Sequence, residues 1–477
     1  MIRQIKNIGL MAVAFMSGSL LLGCGDDYPT AVETPYFTDL LTIKIVNAGA
    51  NGNQTVEGIV DEETKSIKFP RLDLATDFSA IRVEATVSEG ATLQDTVYDF
   101  SMDEEDTHKT LLLRVTNHNR YKDYFMDVRK RIPVYGADYD NATVADYSTN
   151  SGNMYVDYNG LTVRGGDFDG KYILVVSRAT TGLGPHLLRV SDLMAGKTDP
   201  IKLSTTEMTG GTFAYNMGAL VNGHIYVTNL SGGKASPLKV YYYDTPESEP
   251  ECIANINVAD INGAGTRHGD NMSLNLDADG NGYLYFGDNG STEVTRFTVT
   301  NGKTISDAKV LPSDANVTAF MTINKVADSN DYLWTGVRTG LWLADEELNV
   351  KYKLNRDLLP IEAEGARVFT FNQTRYLLVC PAGLGGASTA LPGIYLFDIS
   401  KGNTVQEALE KFAESTDHNA VYTQYLGGSG NSAPATGTNY YIEKDADGND
   451  AYLYLYATRA GSGFTIVKLP AKKEIDD

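Results

Sequence analysis

The sequence has 477 residues, of which 61 are acidic and 40 basic, so its formal net charge is −21 at pH 7. Such a chain lacks the cations that neutralise phosphates, which excludes nucleic acid as a partner and a basic patch as a means of binding an anionic membrane surface. The 46 glycines and 29 tyrosines, without long helical patterns, favour an all-β protein of two or three domains.

Residues 1–23 are predicted to be a signal peptide. Arg3 and Lys6 precede an apolar run of about 15 residues, which is shorter than the ~20 residues of a membrane-spanning helix. The sequence Leu21-Leu22-Gly23-Cys24 resembles a bacterial lipobox, and Gly25-Asp26-Asp27 resembles the export signal of Bacteroides-type surface lipoproteins. The resemblance implies cleavage before Cys24, a lipid (palmitate) on that cysteine and an outer-membrane protein that faces outward. An ordinary secreted protein with a chance cysteine is the alternative.

The segment after the cysteine is predicted to be a tether followed by a β-sandwich. Residues 24–35 are short and polar and contain two prolines, as a linker does. Residues 36–132 contain short segments in which apolar and polar residues alternate, for example Ile81, Val83, Ala85 and Val87. This alternation predicts a half-buried antiparallel sheet, and the segment resembles an Ig-like β-sandwich. Its expected role is a spacer that holds the next domain away from the membrane.

Residues 133–477 repeat one pattern, in which a strand and a tight Asp/Asn/Gly turn precede an aromatic and apolar second strand. A spacing near 40 to 50 residues with about four strands per repeat is typical of a β-propeller. Six blades fit, and the long last interval is either a loop insertion or a seventh blade. A helix is predicted at 404–413. The predicted second strands are 174–178, 225–229, 284–288, 333–337, 377–381 and 455–459.

The strand Ile225-Tyr226-Val227-Thr228-Asn229 resembles the repeat of YVTN-type surface propellers. Taken whole, the chain resembles an uncharacterised Bacteroides-type surface lipoprotein with an N-terminal Ig-like β-sandwich and a C-terminal YVTN-like β-propeller. The resemblance implies a role in the capture or breakdown of extracellular glycans, and it assigns no site residues.

The ends of the second strands are predicted to meet at one rim of the propeller, where arginine, amide and carboxylate groups suit a sugar or an acidic sugar. A structural role, in which they bind carbonyl groups, is the alternative. A second cluster, Arg267-His268-Gly269-Asp270, combines a histidine with an acid and raises the hypothesis of an acid/base site. The predicted ligand-binding residues are Arg178, Asn229, Arg267, His268, Asp288, Asn289, Arg338 and Arg459.

One predicted hairpin resembles the first half of a calcium-binding loop. Asp277, Asp279 and Asn281 alternate before a glycine, so that their oxygens could converge on a hard cation. A strand follows where a calcium-binding helix–loop–helix requires a helix. A polar turn is therefore the favoured interpretation, and calcium is the one cofactor retained as a hypothesis.

The predicted function is binding of an extracellular ligand, most consistent with a carbohydrate, at a propeller mouth without catalysis. The alternatives are a propeller glycoside hydrolase or polysaccharide lyase, a peptide-binding protein, and a scaffold subunit of an outer-membrane nutrient-uptake complex. Trp334 and Trp342 are interpreted as core residues rather than as a sugar platform. Cys252 and Cys380 are interpreted as two buried free thiols, with a disulfide between them as the alternative.

Overall fold

The structure is a computed structural model that describes residues 36–103, 106–132, 134–179, 182–232, 236–287, 292–313, 320–327, 329–337, 339–384, 391–430 and 432–473. The predicted signal peptide, the tether and the lipidation site Cys24 lie outside the described residues. The described chain divides into two compact units, with the boundary between residues 132 and 134.

The N-terminal unit is an eight-stranded sheet in the order β5-β7-β8-β3-β2-β1-β4-β6. All its described strand pairs are antiparallel except β3 with β8. The strands are β1 (Leu40–Ala48), β2 (Gln54–Asp61), β3 (Ser66–Lys68), β4 (Ile81–Val87), β5 (Thr92–Leu93), β6 (Val97–Tyr98), β7 (His108–Asn117) and β8 (Arg120–Arg129), with a 3₁₀ helix at Phe78–Ala80.

The predicted alternation in this unit is confirmed by burial. In β4, Ile81 and Val83 are buried while Arg82 and Glu84 are exposed, because successive side chains of a strand point to opposite faces. The same alternation in β1, β7 and β8 gives one core, which contains Ile43, Ile45, Leu113, Val115, Tyr124, Met126 and Val128.

The C-terminal unit is a six-bladed β-propeller, in which each blade is a four-stranded antiparallel sheet. The inner strands are β10 (Val163–Phe168), β14 (Phe213–Val221), β18 (Ser273–Leu276), β22 (Thr322–Lys325), β26 (Ala363–Phe371) and β30 (Thr436–Lys444). The second strands are β11 (Tyr172–Ser177), β15 (His224–Leu230), β19 (Gly282–Gly287), β23 (Tyr332–Gly336), β27 (Thr374–Pro381) and β31 (Asp450–Arg459). The third strands are β12 (Pro185–Arg189), β16 (Leu238–Tyr243), β20 (Glu293–Thr300), β24 (Gly340–Ala344), β28 (Gly393–Asp398) and β32 (Gly463–Pro470).

The ring is closed by pairing the start of the unit with its end. The outer strands of blades 1 to 5 are β13 (Pro200–Lys202), β17 (Glu251–Ile256), β21 (Thr304–Pro312), β25 (Val350–Lys353) and β29 (Tyr422–Tyr425). Blade 6 takes its outer strand from the opposite end of the unit, β9 (Thr143–Ser148), which pairs with β32 in the register Phe464↔Tyr147. The sequence pattern did not assign β9 to the last blade.

All six predicted second strands are confirmed. They read as continuous apolar runs because each blade packs on both faces against its neighbours, as in Tyr172–Ser177, where five of the six residues are buried. Trp334 and Trp342 lie in one such core with ring centroids 5.2 Å apart, which confirms that they pack inside a blade.

The long last interval holds a helix and loops, so the alternative of a seventh blade is wrong. Helix α2 (Val405–Glu414) lies where a helix was predicted, and the Thr404 hydroxyl caps it by accepting from the Glu407 N–H. The other helices are short: α1 (Val190–Met194) and 3₁₀ turns at Val156–Tyr158, Val258–Asp260 and Arg356–Leu358. Over the described residues, every helix is too short or too polar to span a membrane.

Cys252 and Cys380 differ in environment, and the prediction that both are buried is correct only for Cys380. Both are free thiols. Cys380 lies in second strand β27 and is buried, whereas Cys252 lies on outer strand β17 and is exposed, because the outer edge of a blade has no neighbouring strand to cover it.

Candidate functional site

The inner strands line a central channel with a cavity at each end. A cavity of about 70 Å³, the narrow mouth, lies beside the first halves of the inner strands; it is lined among others by Gly166, Met217, Asp270, Phe320, Gly365 and Thr436. A cleft of about 800 Å³, the wide mouth, lies at their far ends; it is lined among others by Asn222, Asp277, Lys325, Asn330, Asn439 and Tyr441. Asp167 and Arg367 line both cavities and therefore stand midway along the channel.

Glycines allow the inner strands to approach one another at the channel. A Cβ atom on Gly165 would lie 2.8 Å from the Met217 Cα, closer than side-chain carbons come to a backbone. Because only glycine permits this approach, blades 1 and 2 bring their inner strands together immediately after Arg164.

Three arginines and one aspartate cluster at the narrow mouth; we call Arg164, Arg178, Arg267 and Asp270 the arginine cluster. Arg267 forms a salt bridge to Asp270 with an Nε–Oδ2 distance of 2.8 Å. The Arg164 Nη1 donates to the carbonyl of Ala433 at 2.7 Å. Its Nε has no hydrogen-bond partner among the described residues, although the residue is only 8% exposed.

Aromatic rings support two of these guanidinium groups. The Arg178 Cζ lies 3.8 Å from the ring centroid of Phe213, and the Arg164 Cζ lies 5.8 Å from that of Phe320. Phe320 itself lines the cavity. The face of an aromatic ring attracts a cation, so these contacts hold the guanidinium groups in place and leave their edges for other hydrogen bonds.

Positive charge exceeds negative charge within the arginine cluster, as far as the structure describes the residues around it. The pKa of Arg178 is lowered to about 10, chiefly by burial and also by the nearby positive charges of Arg164 and Arg267, while Asp270 opposes them. Burial also lowers the pKa of Arg164, with Asp270 again opposing. The cluster thus holds three cations and one anion in a chain whose net charge is −21.

The other described rim residues, Asn229 and Arg459, reach the same end of the propeller but are occupied by backbone groups. Second strands end beside the starts of the inner strands, as in the pair Thr436↔Arg459. The Asn229 side chain donates to the Pro237 carbonyl and accepts from the Lys239 N–H, each at 2.8 Å. The Arg459 guanidinium is fully buried and donates to three carbonyl groups and one hydroxyl, those of Ala382, Gly383, Ser429 and Ser462. These contacts hold loops, and ligand binding by Asn229 and Arg459 stays a prediction.

His268 and Asp270 do not form the hypothesised acid/base pair. His268 is 1% exposed, and its Nε2 lies 2.9 Å from the Thr295 hydroxyl. Burial lowers its pKa to about 4, so the ring is neutral at neutral pH. The Asp270 carboxylate instead faces Arg267. The Asn216 side chain donates to the carbonyl of Gly269 at 2.6 Å and so fixes the turn between His268 and Asp270.

The predicted calcium residues form a hairpin turn at the wide mouth. The Asp277 Oδ1 accepts from the N–H groups of Asp279 at 3.0 Å and Asn281 at 2.8 Å. Asp345 and Asp445 make the same two bonds in other blades, so the acidic pattern recurs as a turn. Within the described ranges there is no group of three or more His, Cys, Asp or Glu side chains placed to hold a metal. Calcium binding stays a prediction.

Glu364 is a residue of the narrow mouth that the sequence analysis missed. It is fully buried beside Gly365, and its Oε2 accepts from the Thr436 hydroxyl at 2.9 Å. Its Oε1 has no partner in the described part of the chain. Burial raises its pKa well above the ordinary value, which favours the protonated form of the carboxyl group. Its sequence signal is an acid among small residues, Ala363-Glu364-Gly365-Ala366.

Arg164 was also missed, although the Gly165-Gly166 pair after it indicates a close approach between inner strands. The predicted site residues Asp288, Asn289 and Arg338 lie outside the described residues.

A family model described as a domain of unknown function, DUF4623, matches residues 26–472. The chain belongs to the DUF4623 family. The crystal structure of a DUF4623 family protein from Bacteroides eggerthii is 52% identical, with a TM-score of 0.75, and the match covers 92% of this chain and 99% of that one.

Two more distant structures resemble this DUF4623 protein at a level that carries no argument about its activity. An auxiliary nutrient binding protein from Bacteroides thetaiotaomicron is 10% identical, with a TM-score of 0.38 and coverage of 91% of this chain and 92% of that one. A GH43_1 enzyme from Xanthomonas citri is 16% identical, with a TM-score of 0.33 and coverage of 55% and 94%. No curated protein matches the sequence.

Proposed function

We propose that this DUF4623 protein binds an extracellular carbohydrate at the narrow mouth without changing it chemically. The observation that carries the proposal is the arginine cluster beside the Phe320 ring. Guanidinium groups donate hydrogen bonds in a planar fork that suits sugar hydroxyl or carboxylate oxygens, and an aromatic face packs against the apolar face of a sugar ring.

A glycoside hydrolase is the second candidate, and two carboxyl groups favour it. Burial raises the pKa of Glu364, which lies next to the lining residue Gly365, and Asp270 lines the cavity of the narrow mouth. An acid and a base of this kind flank the scissile bond in most glycosidases. Asp270 is engaged by Arg267 and Glu364 is fully buried, which favours binding over hydrolysis.

The cellular setting belongs to the same proposal. The lipobox-like sequence before Cys24 supports a lipid anchor at the outer membrane, with the protein facing outward and associated with a nutrient-uptake complex. The N-terminal sheet, which we interpret as an Ig-like sandwich, then serves as a spacer between the lipid and the propeller.

The test is a binding screen that also detects chemistry. The purified protein is run through affinity gels that contain neutral or acidic polysaccharides, with a peptide mixture as a separate arm, and soluble products are measured in parallel. Retardation without products supports the proposal. Products would show that the protein is an enzyme, and retention by peptides alone would overturn the carbohydrate assignment.

A pair of matched variants decides which mouth binds. Phe320→Ala removes the ring that lines the narrow mouth, and Tyr441→Ala removes a ring that is 43% exposed at the wide mouth. We expect Phe320→Ala to abolish retardation and Tyr441→Ala to preserve it. The reverse pattern would place the site at the opposite end of the channel.

A further inference from the structure

The arginine cluster identifies the chemical class of the ligand, an inference that rests on the proposed function. Its members come from separate parts of the propeller: Arg164 from inner strand β10, Arg178 from the residue after second strand β11, and Arg267 and Asp270 from the segment before inner strand β18. The negative charge of Asp270 interacts favourably with both Arg164 and Arg178, but Asp270 already forms a salt bridge with Arg267. Among the described residues, the narrow mouth therefore carries more positive than negative charge.

Arg164 is the most constrained group of the cluster. It is more than nine-tenths buried, yet its Nε has no hydrogen-bond partner among the described residues. A guanidinium has five donor hydrogens, and the bond to the Ala433 carbonyl uses one of them. A buried polar group without a partner is costly, so a ligand that accepts from Arg164 gains more than it would at an exposed arginine.

We propose that the ligand of the narrow mouth bears a carboxylate, as hexuronic acids do, and that Arg164 and Arg178 bind this carboxylate while the Arg267–Asp270 pair positions it. A planar carboxylate matches the guanidinium fork in a bidentate arrangement that a neutral hydroxyl cannot reproduce. Phe320, beside Arg164, packs against the sugar ring. In a chain of net charge −21, this mouth selects acidic sugars by local rather than overall charge.

The first experiment compares two probes that share one sugar backbone and differ at the carboxyl group, which is charged in one and carries a methyl ester in the other. Oligogalacturonate and its fully methyl-esterified form are titrated into the purified protein by calorimetry. We expect oligogalacturonate to bind at least tenfold more tightly than the ester, and we expect added salt to weaken the acidic probe selectively.

The second experiment tests the arginines. Arg164→Met and Arg178→Gln should each raise the Kd for oligogalacturonate at least tenfold and should change the Kd for the ester by less than threefold. Arg189→Gln is the matched control, because Arg189 lies in the same blade, is 48% exposed and makes only a loose pair with Asp192 at 3.9 Å. If Arg164→Met fails to fold, Arg164→Lys keeps the charge without the fork and should still lose the preference for the acid.

The outcomes separate this inference from the proposed function. Equal binding of acid and ester, sensitive to Phe320→Ala but not to the arginine variants, would overturn the carboxylate and leave carbohydrate binding standing. Thermal stabilisation by free galacturonate but not by galactose, dependent on Arg164 and without retention by any polysaccharide, would support the carboxylate and overturn polysaccharide binding. The absence of both effects would overturn both.

Discussion

Arg459 provides a test of whether a residue at the propeller rim binds ligand or holds the fold. Its guanidinium is fully buried and joins the loop that contains Ala382 and Gly383 to the loop that contains Ser429. The bonds from its two Nη atoms to Ser429, Ser462 and Gly383 have donor–acceptor distances between 2.8 and 3.1 Å. Replacing Arg459 with methionine fills most of the volume and removes every donor.

The loss of stability in Arg459→Met follows from the buried carbonyl and hydroxyl groups that lose their hydrogen-bond donor. A hydrogen bond from a charged group contributes about 1.5–3 kcal/mol, and an abandoned buried acceptor costs a similar amount. The desolvation of the buried guanidinium is relieved at the same time, so the contributions do not add. We expect a loss of about 3 kcal/mol. With an unfolding entropy of about 2.1 cal/mol/K per residue over about 340 residues, the Tm should fall by about 4 °C.

The assay is thermal unfolding of Arg459→Met beside the exposed-site control Arg189→Met, together with binding of the probe that the wild-type protein retains. We expect a lower Tm and, below it, a Kd within threefold of the wild-type value. An unchanged Tm with lost binding would refute the reasoning and restore Arg459 as a ligand-binding residue.

Three further predictions concern stability. Because burial lowers the pKa of His268 to about 4 from an ordinary 6.5, the unfolded state binds a proton between these pH values that the folded state does not. The free energy of unfolding should therefore fall by up to about 3 kcal/mol as the pH drops from 6.5 to 4. His268→Gln should remove this pH dependence when stability is measured by urea unfolding. Glu364 has the opposite sign, because its raised pKa means that the folded state keeps a proton which the unfolded state releases above pH ~4.5. Glu364→Gln should therefore gain stability relative to wild type as the pH rises above ~4.5, and an unchanged difference would contradict the raised pKa. Tyr147, 4% exposed on the closing strand β9, packs against Phe464 with ring centroids 5.3 Å apart, so Tyr147→Ala should cost about 3–4 kcal/mol of stability. Val144→Ala, at a 40% exposed position of the same strand, should cost under about 1 kcal/mol.

The fold was predictable because it repeats. Each second strand, such as Leu377–Pro381, is buried on both faces and reads as an apolar run, and the turns before the strands carry Asp, Asn and Gly for a local reason. The outer strand of blade 6 was not predictable in this way. Thr143–Ser148 pairs with strand β32 some 320 residues away, and nothing local marks that partner.

The site was only partly predictable, because the sequence repeat gives the position of a residue on its strand but not the direction in which its side chain points. Arg178 and Arg459 stand at equivalent ends of second strands, and both reach the narrow-mouth end of the propeller. Arg178 keeps part of its side chain accessible above the Phe213 ring, whereas Arg459 is enclosed by the Gly383 and Ser429 loops. The repeat determines where each strand ends, but the length and path of the neighbouring loops decide which arginine a ligand can reach.

The sequence pattern did not identify Arg164 and Glu364 as site residues for the same reason. Each lies at the start of an inner strand, where a charged residue among small neighbours resembles an interruption of the strand pattern. In the closed ring both strand starts lie close to the narrow mouth, which is lined among others by Gly166 and Gly365. A buried charge in that position is expensive to keep. Among the described residues the Arg164 Nε has no hydrogen-bond partner, and the carboxylate that we propose as the ligand of this mouth would supply the missing acceptor.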